Sequence, residues 1–282
     1  MIKLNGHSGC IIELININEK NIVIKRSKDI SYNKRLEEQC KKQEKYSRNI
    51  FSAVRVIDKG ADKSGLFWFS MEYINGLTLA DYMKTIELQK IKDIAQVFLS
   101  LIPSSFDNIE YDANAKKICL LKVKTLSENI IEKSEIIDVV LNKLENYQWN
   151  YIQYSKCHGD LTLENIIVSQ NNLYLIDFLD SFYNSWQIDI AKVLQDIELF
   201  WHYRKEKIDN NLFIRLLVLK EIMLTELLKK NDGEKIVESI YYLLLLNLLR
   251  ILPYTKDEST YDFLQQSLVS INSKIYHRNW ER

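Results

Sequence analysis

Proline is nearly missing from this chain, with two residues in 282, and glycine is sparse at seven. So few chain breakers exclude collagen-like and low-complexity architectures and leave room for long helices. The four cysteines, Cys10, Cys40, Cys119 and Cys157, are scattered without a CxxC pair, and there are only four histidines. That spacing holds no zinc pattern, and the expectation is four reduced thiols in a cytoplasmic protein. Net charge is missing too, because 38 basic residues balance 38 acidic ones. A general nucleic-acid binder usually carries a basic excess, so no nucleic-acid partner is expected, although a local basic groove is compatible with the total. The opening Met1-Ile2-Lys3-Leu4-Asn5-Gly6 has no apolar signal region. The most apolar stretch, Ile240 to Leu252, is shorter than the roughly 20 residues a bilayer needs and is interrupted by Asn247 and Arg250. A buried helix is expected there, and no membrane insertion.

The first 75 residues are rich in short Ile and Val runs. Cys10 to Ile17 and Asn21 to Arg26, separated by Asn18-Glu19-Lys20, predict a β-hairpin. A polar helix is expected from Ser31 to Arg48, with Leu36, Cys40 and Gln43 on one face and the Ser31 hydroxyl available to cap it. Strands are expected at Ala53 to Ile57 and Leu66 to Ile74, the second ended by Asn75-Gly76. Beyond Gly76 the periodicity becomes helical: Thr78 to Thr85, Leu88 to Leu101 and Leu126 to Leu144. Two brief strands, Ile166 to Val168 and Leu173 to Ile176, interrupt it around a turn at Asn171-Asn172. Helical spacing resumes near Ile188 and persists to Ile275. The expected fold class is α+β, with a small β-rich lobe over residues 1–75 and a larger helical lobe over residues 76–282.

Chemistry concentrates in Cys157-His158-Gly159-Asp160-Leu161-Thr162-Leu163-Glu164-Asn165, followed across the small hairpin by Ile176-Asp177-Phe178. Asp160 and Asn165 lie on a loop entering one strand, and Asp177 ends its partner. A hairpin of that length gathers the three side chains at one end. Two carboxylates and an amide oxygen form a hard-oxygen site suited to Mg²⁺, and one carboxylate can stay off the metal to orient a nucleophile.

This constellation resembles the aminoglycoside phosphotransferase and choline kinase superfamily. It is also similar to the protein-kinase pattern, with Gly159 where protein kinases usually carry Arg. The resemblance implies a protein-kinase-like, two-lobed enzyme that moves the γ-phosphoryl group of ATP (or GTP), with Mg²⁺, to a hydroxyl. By the same resemblance Asp160 orients that hydroxyl, Asn165 and Asp177 hold Mg²⁺, and His158 braces the loop. Lys25, which ends the apolar Ile22-Val23-Ile24, would neutralise phosphate oxygens. The family pairs this lysine with a helix acid; Glu37, Glu38 and Glu44 are available, and Glu44, one turn beyond Cys40, is chosen. Gly6-His7-Ser8-Gly9 would fold over the phosphates through backbone N–H groups, with Gly6, Ser8 and Gly9 as binding positions. Glu72, Tyr73 and Ile74 mark the crossover whose backbone meets the adenine. Asp189 would anchor the catalytic loop as structural support, and Asp180, close behind Asp177, reads as a surface acid, with a place beside the metal as the alternative.

The Gly form of the motif, and the lack of an Ala-Pro-Glu ending after Asp177-Phe178-Leu179-Asp180, point to a small hydroxylated substrate: an amino sugar, aminoglycoside, choline-like alcohol or surface-carbohydrate precursor. Trp186, Trp201, His202 and Tyr203 form an aromatic cluster that could stack on such a molecule or could be core. The alternatives are a compact protein Ser/Thr kinase and a nucleotide-binding pseudokinase scaffold.

Overall fold

The structure is a computed structural model that describes residues 2–4, 10–17, 19–47, 50–103, 112–170 and 172–278. Its contacts divide the chain into two units, residues 1–82 with 158–181, and residues 83–157 with 182–282. The expected boundary at residue 75 therefore moves to Tyr82, and the motif-bearing segment packs with the first unit rather than with the helical part.

The first unit is built on two sheets. One has the order β1-β2-β3-β6-β5, from β1 (Ile2–Leu4), β2 (Cys10–Ile17), β3 (Lys20–Ser27), β5 (Val56–Ala61) and β6 (Phe67–Glu72). The expected hairpin is β2–β3, with Ile12 opposite Lys25 and Ile17 opposite Lys20. Because side chains alternate across a strand, Val23, Lys25 and Ser27 share one face, flanked by Ile12 on β2 and by Phe69 and Met71 on β6. Helix α1 (Asn33–Lys45) covers that face, burying Leu36, Gln39, Cys40 and Gln43. The helix does not open at Ser31. Asp29 instead caps a 3₁₀ turn over Ile30–Tyr32 by accepting from the Tyr32 N–H, and α1 follows. Cys10, Leu36, Cys40, Val54, Phe69 and Met71 form the core between sheet and helix.

The second sheet explains why the motif belongs to this unit. Its order is β4-β9-β8-β7: β4 (Phe51–Ala53) runs parallel to β9 (Asn172–Leu175), which pairs with β8 (Ile166–Ser169), which pairs with β7 (Leu77–Thr78). The β8–β9 hairpin is thus held on both edges by strands from the first 82 residues. Gly76 permits the β7 contact, since a Cβ there would stand 2.3 Å from the Val168 carbonyl oxygen.

Helices make the second unit: α3 (Ile91–Leu99), α4 (Ala113–Asn129), α5 (Glu135–Asn146), α6 (Trp186–Ile197), α7 (Asn210–Leu228), α8 (Gly233–Ile251) and α9 (Glu258–His277), with the short α2 (Leu79–Met83) leading in from the first. The single helix expected over Leu126 to Leu144 is two, because α4 stops at Asn129 and α5 restarts after Ser134. Helix α8 packs against α5, α6, α7 and α9. Among the described residues, the stretch Gly233–Tyr254 is long and apolar enough to cross a membrane by length and composition. It is longer than the apolar run recognised in the sequence, so length no longer argues against a span; 72% of its apolar window is buried inside the protein, as for a core helix. All of α6 is buried, and Gln187 connects it inward, donating to the Tyr151 carbonyl at 2.7 Å and to Ser239 at 2.6 Å. None of the four cysteines is in a disulfide, and all four are buried.

Adding a methyl group at Gly76 would drive Val168 and Ile167 away from β7, at a cost of about 1–3 kcal/mol. Urea unfolding of Gly76→Ala measures this, and a loss below about 0.5 kcal/mol would mean the β7–β8 edge relaxes freely.

Candidate active site

Lys25 sits in the middle of a core-facing row and is 2% exposed. A lysine so placed needs a compensating charge, because burial alone favours its neutral form. The compensation is the Asp177 carboxylate, which pairs with the Lys25 ammonium. Burial lowers the lysine pKa, but the Asp177 charge and hydrogen bond outweigh it and hold Lys25 above its ordinary value. Asp177 occupies the left-handed backbone region at φ +61°, just past the end of β9. Asp tolerates that region better than most residues, and such strain is characteristic of functional turns.

The expected partner Glu44 is elsewhere. It points outward from α1 and binds Lys59 at 2.6 Å. No glutamate of α1 is among its buried residues; glutamines occupy two of those four positions. Gln43 donates to the Val54 carbonyl at 2.7 Å. Gln39 donates weakly to Tyr32 at 3.5 Å and to Asp180 at 3.3 Å.

The loop from His158 to Asn165 is held by its own side chains. His158 is fully buried, its Nε2 is 2.7 Å from the Ile176 carbonyl, and its Nδ1 accepts from the Asp160 N–H at 3.2 Å. These partners require the neutral ring with the proton on Nε2. Phe178 packs at 4.3 Å from the His158 ring and 5.1 Å from Tyr46. Gly159 stands at φ +92°, where a Cβ would meet the Ser181 hydroxyl at 2.2 Å and the Leu179 carbonyl at 2.7 Å. Backbone and space therefore both demand glycine, and the Arg of protein kinases would not fit.

Asn165 closes a short 3₁₀ turn (Leu163–Asn165) and is 7% exposed. Its Nδ2 donates to the Asp160 carbonyl at 2.8 Å and lies 3.4 Å from the Asp160 carboxylate, while its backbone carbonyl accepts from Ile176 at 3.1 Å. With the amide nitrogen committed to the Asp160 loop, Oδ1 is the end left for a cation. No group of three or more His, Cys, Asp or Glu able to hold a metal occurs among the described residues. Asn165 Oδ1 and the Asp177 carboxylate could supply two oxygen ligands, a set that would suit an ion such as Mg²⁺ that keeps waters and phosphate oxygens in its shell, and not an all-protein cage.

Other expected positions are less telling. Gly6, His7, Ser8 and Gly9 lie outside the described residues. Glu72 turns its carboxylate to Arg55 at 2.5 Å, Tyr73 is 40% exposed, and Ile74 packs on the first unit's core. Asp189 is buried in the first turn of α6, in the second unit. Trp186 and Tyr203 are core residues, and Trp201 is stacked under Arg204 at 4.0 Å. Asp180 is exposed, as expected of a surface acid, and Arg35 binds it at 2.8 Å. The sequence reading missed Arg35, Gln39 and Lys42, whose i, i+4, i+7 spacing on α1 was the available signal.

No protein-family model matches this chain, and none of the curated proteins does. Solved structures do. The aminoglycoside phosphotransferase APH(4)-Ia, in a thermostable mutant, superposes with a TM-score of 0.60 at 10% identity, over 98% of this chain and 94% of that one. A putative fructosamine-3-kinase from Haemophilus somnus 129PT gives 0.58 at 15% identity, over 96% and 90%. The choline kinase LicA from Streptococcus pneumoniae gives 0.57 at 17% identity, over 96% and 92%. The chain thus has the α+β fold of these small-molecule kinases, as the residues from His158 to Phe178 led us to expect.

Burial holds the His158 pKa down to about 4. Above pH 6.5 the ring is neutral folded or unfolded; as pH falls below that, only the unfolded chain takes up the proton until about pH 4. Between pH 7 and 4.5 the wild type should therefore lose about 2–3 kcal/mol more stability than His158→Gln. Urea titrations at the two pH values check this, and equal losses would remove His158 as the cause.

Proposed function

We propose that this protein is an ATP- and Mg²⁺-dependent phosphotransferase that moves the γ-phosphoryl group to a hydroxyl of a small molecule. The observation that carries this reading is the assembly, within one unit, of the Lys25–Asp177 pair with the Asp160–Asn165 loop. Its parts suit phosphoryl transfer, which asks for positioning and charge neutralisation more than covalent help.

Asn165 Oδ1 and the Asp177 carboxylate would hold Mg²⁺, which when bound supplies charge to the phosphate oxygens. Lys25 would leave Asp177 to that ion and face the α- and β-phosphates. Asp160 would accept the proton of the substrate hydroxyl as its oxygen bonds to the γ-phosphorus. The bond from that phosphorus to the β-phosphate oxygen breaks, and ADP carries away the electron pair. Neutral His158, bonded to Ile176 and to the Asp160 N–H, keeps that carboxylate aimed.

The acceptor class draws on the structural neighbours, whose names are those of aminoglycoside, fructosamine and choline kinases, one of them solved as a ternary complex with ADP and hygromycin B. We assign an amino sugar, an aminoglycoside, a choline-like alcohol or a surface-carbohydrate precursor. The site demands glycine at 159, and this sets the loop apart from the protein-kinase form.

A thermal-shift and ADP-release screen of ATP or GTP with Mg²⁺, against these acceptors and a generic protein, tests the reading. Nucleotide stabilisation with acceptor-dependent ADP release is expected. Asp160→Asn should keep nucleotide affinity and lose about 10²–10⁴-fold in turnover. Binding without turnover on any acceptor would favour a scaffold, and unchanged turnover in Asp160→Asn would take that residue out of its role.

A further inference from the structure

Helix α1 presents no acid to Lys25, so Asp177 is the carboxylate that pairs with it, and something other than a helix ion pair must hold Asp177 in place. The helix does so by another route. Arg35, Gln39 and Lys42 form one stripe along α1 and reach the residues that follow Phe178. Arg35 Nε donates to Asp180 Oδ1 at 2.8 Å, and Gln39 Nε2 lies 3.3 Å from the same oxygen. Lys42 Nζ donates to the Leu179 carbonyl at 2.8 Å and to the Ser181 hydroxyl at 3.1 Å. Three consecutive residues, beginning two past Asp177, are thus gripped from one helix face.

Lys42 has a second contact that makes it more than a strap. Its Nζ lies 3.0 Å from the place a Cβ on Gly159 would take. The space left by the missing side chain at 159 is therefore filled by the Ser181 hydroxyl and the Leu179 carbonyl, with the Lys42 ammonium of α1 against both, and the Leu179 N–H donates to the His158 carbonyl at 3.2 Å beside it. The loop carrying Asp160 and the segment following Asp177 meet at this ammonium. Arg35 and Asp180 are each about two-fifths exposed, and a pair in that position is screened by water. Lys42 is half-buried and its acceptors are on the gripped segment.

We propose that Lys42, assisted by Gln39 and Arg35, is a positioning residue for Asp177: it holds the Leu179–Ser181 segment against Gly159 and so fixes the metal-binding carboxylate relative to Asp160. This rests on the phosphotransferase reading of the site. It couples α1 to the metal carboxylate through the Leu179–Ser181 segment, where an acid on the helix would have acted through the lysine.

The test is Mn²⁺ binding, read by electron paramagnetic resonance, to full-length protein saturated with AMP-PNP, with the melting temperature measured in parallel. Lys42→Met keeps the stem and removes the charge. Its Mn²⁺ affinity should fall about tenfold or more, as for other groups that orient metal ligands, with metal-free AMP-PNP affinity unchanged and Lys42→Arg restoring most of the loss. Mn²⁺ binding by Lys42→Met equal to wild type, in a wild type that does bind, overturns the inference and leaves the phosphotransferase reading standing. A wild type that binds no Mn²⁺–AMP-PNP overturns both. If Lys42→Met does not fold, Lys42→Ala decides: Mn²⁺ binding weakened about tenfold in the folded variant supports the grip, and wild-type binding overturns it.

Discussion

A lysine buried in a sheet core is the constraint around which the first unit is arranged. Lys25 stands between Ile12 and Phe69, in a row of side chains that otherwise builds the interface with α1. An ammonium there, at 2% exposure, is tolerable only beside an anion. The anion is Asp177, 152 positions later. Bringing it there requires the β8–β9 hairpin to join the first unit, which β4 and β7 accomplish by pairing with its two edges. The left-handed turn at Asp177, the Phe178 contact with His158 and the glycine at 159 follow from fitting that carboxylate beside the His158–Asn165 loop.

The same pair accounts for a division of labour among the polar groups. Buried hydrogen-bonding groups near the site serve geometry: His158 bridges Ile176 and Asp160, and Asn165 spends its amide nitrogen on the Asp160 carbonyl. The more exposed oxygens, on Asp160 and Asp177, are those that chemistry would use. Low dielectric strengthens the first set and makes their rearrangement costly, so the second set is held at fixed positions before any ligand arrives.

Helix α1 shows how one fold can change the contact by which a helix reaches a neighbouring loop. The expectation of a Lys25–Glu44 pair came from a resemblance in which a helix acid meets the lysine. Here Glu44 faces out to Lys59, and the buried face carries Gln39 and Gln43. The link between helix and site passes instead through cations of α1 and the segment after Phe178.

Much was legible in the chain itself, for a local reason. Strand alternation, helix periodicity and turn residues are properties of neighbours in sequence, and they located β2, β3, β6, β8 and β9 and most of the helical part. The motif from His158 to Phe178 was legible because its members lie within one loop and one hairpin. What needed the tertiary structure were matters of which distant surfaces meet. These include the parallel pairing of β4 with β9, the assignment of the hairpin to the first unit, the outward turn of Glu44, and the grip of Lys42 on Leu179 and Ser181. A periodic pattern tells which side of a helix is buried, but two polar residues a turn apart differ in partner only through the position of another segment more than a hundred residues away. That position is decided by packing the whole unit.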